Sequence, residues 1–244
     1  MPFNFRLAAI LLACSLLAGC GEVCVFRWAC VASDHFSLDP TPLQIDLTTK
    51  DAPQASVKLR MPRSFVRFAN NYSSRQGPLP QHFASDHIAI RFVGDGEAWS
   101  VAFARVGTLD PEKLRAEEYG VALYPVRSPR RRTEREASWA QGGHVRQPAA
   151  YDGLVQYSGA NEVFLGDASD LFEQISCSRQ AHPSWFCTYE IDITDGVFAV
   201  ASFLDFRMHG GRAYANQRAR AVREVVCRFT DCETEQARRN RIAN

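Results

Sequence analysis

The chain contains no G-x-S-x-G elbow, no phosphate-binding P-loop, no H-E-x-x-H and no G-x-G-x-x-G. The residue patterns of the common serine hydrolases, nucleotide enzymes, zinc proteases and dinucleotide enzymes are therefore missing. An excess of one charge is lacking too, since 28 Lys and Arg face 27 Asp and Glu. That balance argues against a general nucleic-acid binder, which needs a basic surface to neutralise phosphates. No C-x-x-C occurs among the eight cysteines, so the commonest thiolate metal template is absent, and no metal ligand set and no cofactor are expected.

What is present begins with an address. Arg6, an apolar run from Leu7 to Leu17, and then Leu17-Ala18-Gly19-Cys20 form a stretch too short to span a bilayer and laid out like a secretory signal. The segment resembles a bacterial lipoprotein signal, in which small residues precede a cysteine that is acylated with palmitate-type chains and becomes the new N-terminus. The resemblance implies that residues 1–19 are a signal peptide, that Cys20 is the lipidation site, and that membrane lipid is a partner through it. Gly21, rather than an aspartate, follows Cys20, which by the same resemblance implies the outer membrane, facing the periplasm. Cleavage removes Arg6 and no acid, leaving 27 basic and 27 acidic side chains.

An exported chain meets an oxidising compartment, where an even set of cysteines reads as a disulfide framework. Cys24, Cys30, Cys177, Cys187, Cys227 and Cys232 fall in three local couples. Pairing Cys177 with Cys187, Cys227 with Cys232 and Cys24 with Cys30 closes the shortest loops, the first worth about 2–3 kcal/mol in the chain-entropy model. Thiolate metal binding is the competing reading.

The expected fold class is α+β, an antiparallel β-sheet with hairpins and a C-terminal helix packed on it, stapled by disulfides. Residues 20–42 read as a lipidated tether, 43–232 as a single globular domain with an exposed basic loop at 125–150, and 233–244 as a polar tail. Val57, Leu59 and Met61 alternate with polar residues and predict a strand that Pro62 ends. Ile88, Ile90 and Phe92, then Gly94-Asp95-Gly96, then Trp99, Val101 and Phe103 predict a hairpin. Asp110 and Pro111 offer the start of a short helix reaching about Glu118. A second hairpin is predicted from Trp185–Ile193, a turn at Thr194-Asp195-Gly196, and Val197–Phe206. Beyond Gly210-Gly211, Val222, Val225, Val226 and Phe229 recur at helical spacing, with Arg218, Arg220, Arg223 and Glu224 outside that stripe.

Several residues are candidates for function. Asp205, Arg207 and His209 alternate at a strand end, where a carboxylate could orient an imidazole while an arginine binds an anion; the alternative is a salt-linked strand end entering a glycine turn. His209-Gly210-Gly211 also resembles part of an esterase oxyanion-hole segment, without a matching nucleophile. His82, Asp86 and His87 are close in sequence, but alternation along a strand would point Asp86 and His87 to opposite faces. Trp185, on the Cys177–Cys187 loop, could anchor a partner or cap the core. Arg130, Arg131 and Arg132, within the basic loop, could meet an acidic partner or lipid headgroups, or simply be solvated.

The order of lipobox, strand 57–62, cysteine-bounded loop, hairpin and final helix to Phe229 resembles uncharacterised proteobacterial envelope lipoproteins, some of which act as immunity partners of secreted antibacterial toxins. The resemblance implies a non-catalytic protein-binding module with a periplasmic protein partner, and carries over no catalytic residue. A cell-envelope enzyme or maintenance factor using Asp205, Arg207 and His209 is the alternative.

Overall fold

The computed structural model describes residues 37–49, 52–69, 79–94, 96–106, 118–125, 132–194 and 196–232. The segment 1–36, and with it Cys20, Cys24 and Cys30, lies outside them, as do Arg130, Arg131, the helix start at Asp110 and the tail 233–244.

Two sheets share one hydrophobic core. In the smaller, β1 (Pro42–Thr49) pairs antiparallel with β2 (Ala52–Pro62) and parallel with β4 (His82–Ser85). Leu43, Ile45 and Leu47 lie opposite Met61, Leu59 and Val57, so the predicted apolar face of β2 is met by a matching face on β1. Leu43, Ile45 and Leu47 alternate with period 2 and are fully buried along β1. The larger sheet has nine strands in the order β3 (Val66–Ala69), β5 (Ile88–Val93), β6 (Glu118–Pro125), β12 (Val197–Leu204), β11 (Phe186–Thr194), β10 (Gln174–Cys177), β9 (Glu162–Leu165), β8 (Val155–Ser158) and β7 (Val145–Arg146). Every pairing in it is antiparallel. The α+β class with a mostly antiparallel sheet and a packed C-terminal helix is what the structure has.

Among the described residues three α-helices accompany the sheets: α1 (Trp99–Val106), α2 (Arg132–Gln141) and α3 (Gly211–Val226). Helix α3 buries Ala215, Ala219, Val222 and Val226 in the same cluster as Ile90, Leu123, Tyr189 and Ala201 from the large sheet and Ile45 and Leu59 from the small one. Arg223, read as lying outside the stripe, is buried. Its guanidinium donates to the carbonyls of Asp192 and Ile193, capping the end of β11. At the far end of the helix, the amide of Arg60 in β2 donates to the Phe229 carbonyl at 2.8 Å.

The expected hairpin at 88–104 is half right. Strand β5 forms, but Trp99, Val101 and Phe103 belong to helix α1. The chain turns at Gly96 (φ +79°), whose amide donates to the Val93 carbonyl at 2.7 Å. Trp99 and Ala102, three apart, then pack on Val93, so the helical i, i+3 pairing wins over an accidental alternation. Strand β5 pairs instead with β3 and with β6, which begins at Glu118 where the sequence predicts a helix end.

The supposed basic loop is also corrected. Residues 132–141 are helix α2, and Arg135 is buried rather than solvated, donating from Nη1 to Glu173 Oε2 at 2.7 Å. Trp139 Nε1 donates to Gln174 Oε1 at 3.0 Å, fastening the helix to β10. A charged face became an anchor because the sheet supplies an acid and an amide opposite it.

Candidate functional site

The predicted polar trio and the predicted Trp185 anchor meet at one corner, where β11 begins and β12 ends. Cys177 and Cys187 are joined there, their Cα atoms 4.4 Å apart, closing the exposed loop 179–186. Cys227 and Cys232 are joined just beyond α3. Both pairings are those expected from spacing.

Asp205 does not continue β12. It caps a short 3-10 turn, Phe206–Met208, accepting from the Arg207 amide at 3.1 Å. The Arg207 side chain folds back onto the same carboxylate through two parallel bonds, Nε to Oδ1 at 2.8 Å and Nη2 to Oδ2 at 2.6 Å. Its Nη1 donates to Glu162 on β9 and its Nη2 to the Ser178 carbonyl at 2.9 Å. The side chains of Arg207 and Asp205 are 6% and 1% exposed, and this bidentate, desolvated pair is supported by hydrogen bonds from each of the three guanidinium nitrogens. Burial acts to raise the Asp205 carboxyl, but the hydrogen bonds and charge of Arg207 outweigh it and hold it below the usual carboxylate range.

His209 is not part of this pair. Its Nε2 donates to the Pro183 carbonyl at 2.9 Å, and its ring lies 5.7 Å from that of Tyr214. Among the described residues no carboxylate orients it. The trio thus separates, with Arg207 paired to Asp205 and His209 tied to the Pro183 carbonyl.

A second ionic knot sits at the start of α3. Arg212 donates to Asp170 Oδ1 and to Asp167 Oδ2, both at 2.7 Å, and Asn216 donates to Asp170 Oδ1 at 2.8 Å. Asp152 accepts from the Arg212 amide at 2.6 Å and so caps the helix from another loop. Gly211, at φ +63°, lies so close to that carboxylate that a Cβ would overlap it.

The histidines near residue 85 do not converge. His82 bonds Asp46 and His87 bonds Asp86, each at 2.9 Å. Asp86 and His87 lie between β4 and β5 rather than in a strand, so the expected alternation does not separate them. The His87 ring stacks on Tyr124 at 5.3 Å.

Cys177, Cys187 and Asp205 bring a sulfur, a sulfur and a carboxylate oxygen within 4.8 Å. Both sulfurs are spent in the disulfide, so neither is a thiolate ligand. What the corner presents outward is apolar. Trp185 is 44% exposed, Phe186 60% and Met208 49%. The His182 ring stacks on Trp185 at 5.1 Å, and the Trp185 carbonyl accepts from the Asp205 amide at 2.9 Å. Phe186 carried a sequence signal, since it precedes Cys187 and alternation turns it to the other face; Met208 carried none. Arg132 opens α2.

No family model matches the chain, and no curated protein matches it. Among solved structures, the crystal structure of the Neisseria meningitidis iron-regulated outer membrane lipoprotein FrpD is similar over 80% of this chain and 98% of that one, at 13% identity and a TM-score of 0.36. A likeness that distant assigns neither ancestry nor activity, so function is argued from the residues.

Proposed function

We propose that this is a lipid-anchored protein of the bacterial envelope that works by binding a protein partner in the periplasm rather than by turning over a substrate. The anchor rests on Leu17-Ala18-Gly19-Cys20. The observation that carries the non-catalytic reading is the closure of Arg207 on Asp205 and Glu162, with His209 engaged elsewhere. A general base needs an orienting group beside it, and an anion site needs an accessible arginine; among the described residues no carboxylate orients His209, and the Arg207 side chain is buried between Asp205 and Glu162. The stapled loop and the two ionic knots support a rigid body suited to stoichiometric binding. Its most concrete form is an immunity protein that covers the active site of a secreted toxin.

Crosslinking of the anchored protein in cells, followed by mass spectrometry, tests this. Recovery of one protein at near-equal amounts supports binding, and a toxin among the products supports immunity. Recovery of lipid and cell-wall material alone refutes it. The alternative, an envelope enzyme, requires His209→Ala to abolish function while folding and export survive.

A further inference from the structure

Six large apolar side chains are exposed among the described residues: Leu38, Phe103, Val145, Trp185, Phe186 and Met208. Val145 lies on β7, the far edge of the large sheet. The other five gather at one end of it. Phe186 pairs with Leu204, and Val93 pairs with Glu118. Strand β12 runs beside β6 so that Phe203 meets Tyr119, their rings 5.2 Å apart, which sets Leu204 beside Glu118. Val93, Glu118, Leu204 and Phe186 thus form one row across the strand ends, about 14 Å from first to last at ~4.8 Å per strand. Helix α1 packs on Val93 at one end of that row; at the other, Trp185 precedes Phe186 and its carbonyl accepts from the Asp205 amide, while the Asp205 carbonyl accepts from the Met208 amide.

The same end receives the tether. Ser37, the first described residue, is bound through its carbonyl by the Ser100 hydroxyl on α1 at 2.8 Å, and that hydroxyl also bonds the Ser64 carbonyl at 2.9 Å. Leu38 follows immediately. Phe103 stacks on Trp99 at 4.9 Å, and the Arg91 guanidinium lies 3.9 Å from the Trp99 ring centre, so the exposed ring is held rigid. Between Cys20 and Ser37 the chain can span about 60 Å at most, so the junction at Ser37 stays within that reach of the leaflet. The loop segment 178–186 and the turn segment 206–211 contain no acid, but include Arg179, His182 and His209.

We infer that this end of the sheet seats on the bilayer that holds the acyl chains of Cys20, with Leu38, Phe103, Trp185, Phe186 and Met208 entering the headgroup boundary. Aromatic and thioether side chains on rigid supports suit that interface, and the carboxylates beside them are ion-paired, Glu118 with Arg91 and Asp39 with Arg63. The seat rests on the lipoprotein reading, and it assigns the Trp185 corner to lipid, leaving the rest of the body for a protein partner. Seating also orients the molecule, because the body is fixed by a face as well as by a flexible lead.

The test uses the full exported chain in vesicles of phosphatidylethanolamine and phosphatidylglycerol, with and without brominated acyl chains, and mass spectrometry of the chain for acylation. Acylated protein whose Trp185 emission, identified by difference from Trp185→Phe, shifts to the blue and is quenched by brominated lipid supports the seat. Acylated protein whose Trp185 stays open to aqueous acrylamide and is untouched by brominated lipid overturns it and leaves the corner to a protein. A chain without acyl mass overturns the anchor reading instead. The seat is then decided by the unacylated chain on the same vesicles, where binding lost on Phe103→Asp with Phe186→Asp supports it and absence of binding overturns it. Both variants alter exposed positions, so an unchanged melting curve accompanies the loss.

Discussion

Arg207 holds Asp205, two residues before it, through two parallel hydrogen bonds of 2.8 and 2.6 Å, and both side chains are buried. The pair therefore behaves as one structural unit. Removing the guanidinium leaves an uncompensated buried carboxylate and frees the stapled loop from β9. Arg207→Ala is expected to destabilise by about 3 kcal/mol or more. Arg207→Lys recovers only part of this, because an ammonium cannot reproduce the fork. Urea unfolding of the three proteins measures it, and equal midpoints would refute the unit.

His209 is the contrast within the same segment. Its contacts are one carbonyl and one ring at the surface, so His209→Ala costs within about 1 kcal/mol. Full function in this variant, beside the loss in Arg207→Ala, separates a tying histidine from a catalytic one.

Acid sensitivity follows from two carboxylates. Asp205 is held below its usual range by Arg207 against the opposing effect of burial. Asp167 is lowered to about 2, where hydrogen bonds from Ser169 and Arg212 and the Arg212 charge outweigh burial. A depressed folded-state pKa means the unfolded chain takes up protons first as pH falls, so the stability these groups contribute is complete above about pH 4 and is lost toward pH 2. Melting temperatures across pH 2–6 should fall through that window, and Asp167→Asn should flatten part of the decline.

The disulfides differ in leverage. Replacing Cys177 and Cys187 by serine opens a loop with a sequence separation of 10, against 5 for Cys227 and Cys232. Expected losses are about 2–3 and about 2 kcal/mol in the chain-entropy model. The first pair should also expose loop 179–186 to protease in the native state; unchanged cleavage there would show that Arg207 alone holds it.

Tyr189 offers a gain. Its side chain is fully buried and its hydroxyl has no hydrogen-bond partner among the described residues. Tyr189→Phe keeps the ring packed on Phe203 at 5.0 Å and removes an unsatisfied polar atom, so stability should rise by about 1 kcal/mol. A loss of similar size would reveal a partner for the hydroxyl.

What the sequence by itself determined is what local periodicity and short separation encode. The alternation around residues 186–204 makes a hairpin, since each strand needs only its neighbour two residues beyond the turn. The stripe Val222, Val225, Val226 and Phe229 makes α3, and nearness alone selects Cys177 with Cys187 and Cys227 with Cys232. The Leu17–Cys20 pattern and the missing catalytic templates are likewise read without coordinates.

Only the tertiary structure decided what depends on residues far apart in the chain. Trp99, Val101 and Phe103 satisfy a strand period as well as a helix, and packing on Val93 settles the matter. Arg135 and Arg223 look solvated until Glu173 and the end of β11 arrive opposite them. Asp205, Arg207 and His209 share a local pattern, yet Glu162 and Pro183, 45 and 26 positions from Arg207 and His209, divide them between two roles. Val93, Glu118, Leu204 and Phe186 come into one row because antiparallel register carries position across strands. That register is set by the whole buried face at once, and no short stretch of sequence contains it.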